Sequence, residues 1–170
     1  MIFSRIQNFQ SAQQNLAQSW NAITGITNSG KMKKTINVLV VEDNKYYNNL
    51  LSTALRNSMR TIQKKLNYKI VLYSFTDSQK CIRKIKSNEL LENDTIAFVD
   101  YYLGDGINGL HITKLLKERG SDVMVILLSQ SKAVEQRSIA VNYDYFVVKD
   151  SSALAMCCLY LEQYADNKFM

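Results

Sequence analysis

Chemically capable side chains follow four short apolar runs of this sequence. An acidic pair ends the first run, an aspartate the second, a serine the third and a lysine the fourth, in INVLVVED, TIAFVD, DVMVILLS and DYFVVK. The residues are Glu42, Asp43, Asp100, Ser129 and Lys149. Carboxylates, a hydroxyl and an ammonium gathered at one place could hold a divalent cation and react with phosphorus.

The three carboxylates require a cation if they come together. Each would repel the others and resist ionisation as it lost water. Mg²⁺ prefers oxygen ligands and usually takes one or two carboxylates together with waters and phosphate oxygens. We therefore predict a magnesium site in which Asp43, Asp100 and the backbone carbonyl of Tyr102 are ligands. Glu42 would hold the ion through water.

Asp100 is the candidate nucleophile of this group. Aspartate forms acyl phosphates in aspartyl-phosphate chemistry, and a cation and a lysine can neutralise the transferring oxygens. Lys149 would supply the fixed charge, and the hydroxyl of Ser129 would donate a hydrogen bond to the phosphoryl group. These residues are the predicted catalytic set.

Five repeats of strand and helix must position these residues. From Thr35 onward, short β-branched or apolar runs alternate with longer segments of helical period, which is typical of a parallel sheet wrapped by helices. The carboxyl ends of parallel strands share one edge, where ligands bind. The predicted strands are Ile36–Val41, Lys69–Phe75, Thr95–Asp100, Asp122–Ser129 and Asp144–Lys149.

Helices are predicted between the strands and after the last one. They cover 44–66, 77–91, about Gly109–Arg119, Ala133–Val141, and a final segment from about Ser151. Asn44 and Asp77 are predicted caps, and Gly120 a stop signal. The predicted inward positions include Tyr47, Leu50, Leu51, Ala54 and Leu55 in the first helix, Leu110, Thr113, Leu115 and Leu116 in the third, and Leu154, Cys158 and Leu161 or their neighbours in the last.

Residues 1–34 differ in kind from the predicted domain at 35–170. Ile2, Ile6, Phe9, Gln13, Leu16, Trp20 and Ile23 recur at steps of four and three, as in a coiled-coil seam. This pattern predicts an amphipathic helix followed by a linker. The helix would dock on its own domain or form a loosely ordered extension; dimerisation or partner docking is the alternative. Met32 is also a natural translation start.

Composition excludes several classes of protein. The chain has 170 residues, 46% of them hydrophobic, and no apolar run approaches the roughly 18 residues of a membrane span. Its three cysteines, Cys81, Cys157 and Cys158, show no CxxC spacing, which argues for buried thiols. Four of the net +6 charges lie in residues 1–34. We expect a cytoplasmic protein that neither inserts in membranes nor binds nucleic acid.

Four segments together resemble the receiver domain of two-component response regulators, over about residues 36–164: VVEDN, FVDYYL, LLSQS and YFVVKD. The resemblance implies a flavodoxin-like, doubly wound five-stranded sheet in the order 2-1-3-4-5. It makes Asp100 the phosphoacceptor, Glu42 and Asp43 holders of Mg²⁺, and Ser129 with Phe146 the switch pair. It also implies a histidine kinase or phosphotransfer protein as phosphate donor, and a downstream protein bound through helix four, strand five and helix five. Such a domain is a signalling protein, with slow self-dephosphorylation, rather than an enzyme.

Three positions depart from the family pattern. Asp150 follows Lys149 where proline is usual, which predicts a trans peptide and an added negative charge near the site. Gln130 replaces a small residue after the switch hydroxyl. The loop after Asp100 is one residue longer than usual, with Gly104 where proline is frequent.

Competing functions remain open at this point. The fold could act as a phosphorylation-independent adaptor through its N-terminal helix and its last strand and helices. A phosphohydrolase would need a second aspartate where Tyr102 stands. DNA binding is disfavoured because no helix-turn-helix segment follows the predicted domain. His111, the single histidine, is assigned no catalytic role.

Overall fold

The computed structural model describes residues 34–168 except 67, 105, 121 and 138–141; the side chains of 136 and 137 are also outside the description. The predicted N-terminal helix, its proposed dimer contact and the end of the predicted fourth helix therefore lie outside the described residues.

Strands and helices alternate along the described chain. The strands are β1 (Thr35–Val41), β2 (Lys69–Phe75), β3 (Asp94–Asp100), β4 (Met124–Ser129) and β5 (Tyr145–Val148). The helices are α1 (Lys45–Leu66), α2 (Ser78–Lys86), α3 (Gly109–Arg119), α4 (Ala133–Arg137) and α5 (Ala153–Asn167). None of these described helices combines the length and apolar character that a bilayer crossing needs.

The five strands form one parallel sheet in the order β2-β1-β3-β4-β5. The predicted sheet type and strand order are confirmed. Val41 lies opposite Val99, Asp100 opposite Leu128, and Ser129 opposite Val148. This register brings the carboxyl ends of the strands level, so the polar residues that follow them meet at one edge.

Two hydrophobic layers cover the sheet, one on each face. Val38, Val40 and Phe98 pack beneath α1 and α5, whereas Leu39 and Val41 pack beneath α2 and α3. Side chains alternate between faces along a strand, so neighbouring residues enter different layers. Because both faces are covered, β1 and β3 are buried almost throughout, as their continuous apolar sequences indicate.

Capping fixes the beginnings of three helices. The side chain of Asn44 accepts hydrogen bonds from the Tyr46 and Tyr47 amides at 3.0 and 3.1 Å, and Asp77 accepts one from Lys80 N at 2.9 Å. Both predicted caps are confirmed. Asn108 caps α3 in the same way, and α3 ends at Gly120 as predicted.

Some predicted inward positions were wrong. Leu50 is 38% exposed on α1, while the polar Asn48 is buried. In α3, Ile112 is buried and Leu110 only half-buried. In α5 the prediction is confirmed: Leu161 is buried, and so are Ala153 and Cys157, the neighbours of Leu154 and Cys158.

The cysteines are free. Cys81 and Cys157 are buried, and burial raises the pKa of each to about 12, so both remain protonated thiols. Cys158 is half-buried.

Candidate functional site

The polar residues at the strand ends surround an open cavity of about 550 Å³. Five of the predicted site residues line it, namely Glu42, Asp43, Asp100, Tyr102 and Lys149. The lining consists of Glu42, Asp43, Asn44, Tyr46, Tyr47, Asp100, Tyr102, Gln130 and Lys149. A space of this size has room for a hydrated cation and a phosphoryl group.

Three carboxylates converge in this cavity. Glu42, Asp43 and Asp100 each offer an oxygen, and the three oxygens lie within 4.8 Å of one another. Glu42 and Asp100 are only 2% and 5% exposed, whereas Asp43 is exposed to solvent. Two buried acids and one exposed acid therefore form a cluster of oxygen donors that opens toward solvent.

Lys149 joins the two buried acids. Its Nζ lies 2.5 Å from Glu42 Oε2 and 2.8 Å from Asp100 Oδ1, and its side chain is 7% exposed. The same ammonium lies 4.7 Å from the centroid of the Tyr47 ring, within range of a cation-π contact. The backbone of Lys149 is held to β4, since its amide donates to Ser129 O at 2.8 Å.

One lysine does not balance three carboxylates. Burial raises the pKa of Asp100; the ion pair with Lys149 opposes this shift, and the charge of Asp43 adds to it. Burial likewise raises the pKa of Glu42, again opposed by Lys149 and reinforced by Asp100. The site is thus short of positive charge, which is the condition under which a hard divalent cation binds between carboxylates.

The loop after Asp100 is held on both sides. Tyr101 N donates to Leu128 O at 2.8 Å, and Gly109 N donates to Tyr101 O at 2.9 Å. A Cβ on Gly109 would lie 2.1 Å from the carbonyl oxygen of Asp100, so only glycine allows α3 to begin this close to the strand end. The loop's sharp turn uses Gly106, whose φ is +77°.

Gly104 connects this loop to the acidic cluster. Its backbone N–H donates to Asp43 Oδ2 at 2.9 Å. A proline at this position would have no N–H to donate. Glycine at position 104 therefore allows a contact that orients Asp43.

Tyr102 lies beside Asp100 at the rim of the cavity. Its side chain is 57% exposed, and its backbone N–H donates to the Asp100 carboxylate. This bond favours the ionised form of Asp100. The role of the Tyr102 carbonyl as a metal ligand stays a prediction.

Ser129 is placed differently from the other predicted site residues. It is fully buried, its hydroxyl oxygen accepts a hydrogen bond from Ser131 N at 3.3 Å, and it is not among the described residues that line the cavity. Gln130 lines the cavity instead. Phe146 is half-buried, with its ring centroid 6.3 Å from that of Tyr143. The role of Ser129 and Phe146 as a switch pair stays a prediction.

The turn after β5 is built around Asp150. No described peptide bond is cis, in line with the expected trans Lys149–Asp150 bond. Asp150 N donates to Val148 O at 2.8 Å, a bond that proline could not make. Its carboxylate accepts hydrogen bonds from the Ser152 amide and hydroxyl, which lower the pKa of Asp150. The added charge is exposed and lies outside the cavity lining.

Asn48, which was not among the predicted site residues, supports the site from below. Its amide nitrogen donates to Glu42 O at 3.1 Å and to Phe75 O at 3.0 Å, while its oxygen accepts from Ser74 Oγ at 2.5 Å. Asn48 thus ties the ends of β1 and β2 to α1. The available signal was a polar residue inside the apolar stripe of α1, which a buried structural role explains.

No protein-family model matches the sequence, and no curated protein matches it closely enough to count as a relative. Solved structures do match its fold. The response regulator TrrA from Thermotoga maritima, in complex with Mg²⁺-BeF, is 21% identical with a TM-score of 0.57; the match covers 78% of this chain and 99% of TrrA. The chain has the receiver-domain fold.

Other receiver domains support the same conclusion. The receiver domain from Rhodospirillum rubrum is 17% identical, with a TM-score of 0.56 over 79% of this chain and 94% of its own. The response regulator domain of Thermotoga maritima CheB is 19% identical, with a TM-score of 0.54 over 78% and 96%. The fold expected from the resemblance is confirmed. At these identities the likeness shows the fold, so the function must be argued from the site.

Proposed function

We propose that this receiver fold is a signalling domain that accepts a phosphoryl group on Asp100 in an Mg²⁺-dependent reaction. The observation that supports this most directly is the position of the Asp100 carboxylate. It stands in an open cavity, 2.8 Å from Lys149 and within 4.8 Å of two further carboxylates. A buried acid with a fixed cation beside it and oxygen donors around it suits in-line attack on phosphorus.

The donor would be a phosphohistidine of a histidine kinase or a histidine phosphotransfer protein. An Asp100 carboxylate oxygen forms a bond to phosphorus, the phosphorus–nitrogen bond of the donor breaks, and its electron pair remains on the imidazole. The product is an acyl phosphate on Asp100. The Lys149 ammonium would then pair with the phosphoryl oxygens instead of the Asp100 carboxylate, and it would keep its ion pair with Glu42.

The acidic residues fit a magnesium ion. Asp43 and Asp100 would be direct ligands with the Tyr102 carbonyl, and Glu42 would hold the ion through water. When bound, the ion supplies positive charge to the transferring oxygens. The hydrogen bond from Gly104 N keeps Asp43 aimed at this position. The raised pKa values of Glu42 and Asp100 are consistent with a site that needs more positive charge than Lys149 provides.

Signalling would follow from altered binding to a downstream protein through α4, β5 and α5, with Ser129 and Phe146 as the switch pair. For Ser129 to contact the phosphoryl group, the hydrogen bond between the Ser131 amide and the Ser129 hydroxyl must break. Such a domain would work in the cytoplasm and is a phosphoacceptor rather than an enzyme that turns over a small substrate.

Acetyl phosphate with Mg²⁺ tests the proposal. The protein should gain the mass of one phosphoryl group, in an acid-stable and base-labile form, and Asp100→Asn should gain none. Asp150→Asn is the matched control, because it removes a neighbouring carboxylate that does not line the cavity. Phosphorylation of Asp100→Asn to the same extent would contradict the assignment.

One observation favours the adaptor function. Lys149 forms ion pairs with both buried acids, so part of their negative charge is neutralised without a metal ion. An adaptor of this kind would bind its partner with no phosphate involved. Titration with millimolar Mg²⁺ and then beryllofluoride separates the two functions. An acidic cluster that responds to neither reagent supports the adaptor.

A further inference from the structure

Basic residues are concentrated in one segment of the chain that the proposed function does not use. Residues 45–86 contain ten lysines and arginines and one acid, Asp77, although the whole chain is only +6. The ten are Lys45, Arg56, Arg60, Lys64, Lys65, Lys69, Lys80, Arg83, Lys84 and Lys86. This segment folds as α1, β2 and α2, so the charge belongs to one side of the fold.

Most of these cations have no acidic partner. Within the described residues, Lys65 pairs with Asp166, Lys80 weakly with Asp77, and Lys84 with Glu89. The described part of the chain offers no ion pair to Arg56, Arg60, Lys64, Lys69, Arg83 or Lys86, and all six are exposed. We call these six residues the basic edge.

Helix α1 lies beside the outer strand of the sheet. One side of α1 packs on α5, where Ser58 Oγ donates to Glu162 at 2.8 Å. The other side faces β2, where Ser52 contacts Ser74 at 3.4 Å. Arg56 follows Ser52 by four residues, so it lies on the side that faces β2. Arg60, one turn further on, is exposed, and its Nη1 donates to Asn57 Oδ1 at 3.4 Å.

Strand β2 is the outer strand on this side of the sheet. It is the last strand of the sheet, and among the described residues only β1 pairs with it. Its side chains are mostly half-buried, whereas those of β1 are mostly buried. An outer strand presents unpaired N–H and C=O groups that can accept another strand.

We propose that β2 and the basic edge together bind an acidic, extended segment of a partner protein. The segment would add to the sheet beside β2 through backbone hydrogen bonds, with acidic side chains at alternate positions directed toward Arg56 and Arg60. Alternate residues of a strand lie about 6.6 Å apart, and residues four apart on a helix rise about 6 Å, so the two charge patterns match in spacing. Strand addition of this kind takes its affinity from the backbone and its specificity from side chains.

Other occupants fit less well. Nucleic acid would satisfy the charge but has no strand to pair with β2, and an anionic membrane surface is flat and would leave the same groups unpaired. Residues 1–34 of this chain carry four basic residues and no acid, so they do not supply the acidic side chains of the proposed ligand. A lysine on an outer strand, such as Lys69, can prevent that strand from pairing with a second copy of the protein. This protection does not require arginines on the neighbouring helix.

A seven-residue peptide of alternating glutamate and valine, the length of β2, tests the proposal in fluorescence anisotropy. The full chain should bind it, more weakly as salt rises, and should bind the glutamine–valine peptide much more weakly. N-methylation of alternate peptide nitrogens keeps the charges and blocks pairing, so it should also abolish binding. Equal binding of the N-methylated peptide would overturn strand addition.

Charge-reversed variants locate the surface. Arg56→Glu with Arg60→Glu should weaken peptide binding about tenfold or more, whereas Lys114→Glu with Lys132→Glu, an equal change of net charge at exposed residues elsewhere, should not. The milder Arg56→Gln with Arg60→Gln serves if the reversal impairs folding. Equal losses in the two reversed variants, or preferential binding of a single-stranded oligonucleotide or phosphatidylserine vesicles, would overturn the proposal.

Hydrogen exchange shows whether the edge is free. In the unbound protein, alternate amides of β2 should exchange quickly and gain protection when the peptide binds. If all of them are protected before the peptide is added, then the chain's own residues or a second copy already cover the edge. That result would contradict the proposal.

Discussion

A single ammonium group sets the state of the acidic cluster. Lys149 contacts Glu42 and Asp100, but burial still raises the pKa of both carboxyls. Ionised acids in such a position lower the stability of the fold, because they lose more hydration than one cation restores. The same imbalance prepares the site for a second cation. At this scale, the requirements of function and of stability oppose each other.

Asp100→Asn should therefore stabilise the protein. The substitution removes one buried charge and leaves Lys149 paired with Glu42, so we expect the free energy of unfolding at neutral pH to rise by about 1 kcal/mol. Urea denaturation in the presence of a chelator measures the change. A variant less stable than the wild type would contradict this account of the site.

The pH dependence of that difference has a defined sign. The folded-state pKa of Asp100 is raised, so its contribution to stability is fully present below the ordinary pKa of 3.8 and is lost as pH rises through the raised value. The advantage of Asp100→Asn should thus be complete at neutral pH and vanish on acidification. Parallel denaturation curves at several pH values provide the test.

At the scale of elements, the site depends on how strand ends are tied to helices. The carboxyl ends of β1 and β2 meet α1 through Asn48, and the start of α3 approaches β3 at Gly109. The helical period of the sequence places Asn48 on the buried face of α1. Only the packed structure shows that the carbonyls of Glu42 and Phe75 lie within reach of its side chain. These connections hold Glu42 and Asp100 level with each other.

Asn48→Ala should lower both stability and cation binding. It leaves the carbonyls of Glu42 and Phe75 without the side-chain donor, so we expect a loss of about 2 to 3 kcal/mol in the free energy of unfolding. Weaker Mg²⁺ binding should accompany it, since the Glu42 backbone is no longer fixed. Asn49→Ala, at the exposed neighbouring position, is the control and should change neither quantity. Equal effects of the two substitutions would contradict the role of the Asn48 hydrogen bonds in holding the ends of β1 and β2.

At the scale of the whole molecule, the charge is divided between regions. Three acids gather at the carboxyl edge of the sheet, while residues 45–86, which form α1, β2 and α2, hold ten of the 21 lysines and arginines and one acid. The site for the cation and the proposed basic edge are thus separate surfaces. We expect each surface to favour ligands of the opposite charge.

Mg²⁺ should stabilise the folded protein through the acidic cluster alone. A ligand that binds the folded state raises the melting temperature by mass action. We expect differential scanning fluorimetry to show a rise with millimolar Mg²⁺ that Asp43→Asn abolishes, because asparagine keeps an acceptor for Gly104 N but loses the charge. Arg56→Glu with Arg60→Glu should keep the full rise. A rise that survives in Asp43→Asn would place the cation elsewhere.

The sequence alone determined the alternation of strands and helices, the parallel sheet and the polar residues at its carboxyl edge. These features follow from periods of two and 3.6 residues and from where apolar runs stop, which are local properties of the chain. The caps at Asn44 and Asp77 were predictable for the same reason. The acidic cluster was predictable because parallel strands end on one side.

Only the tertiary structure decided which groups meet. Lys149 and Glu42 are 107 residues apart, and their contact depends on strand order and register rather than on any local pattern. The same holds for Ser52 of α1 and Ser74 of β2, which meet only because the helix packs beside that strand. A side chain's partners are set by packing between distant segments, because local sequence fixes its element and face but not what lies opposite.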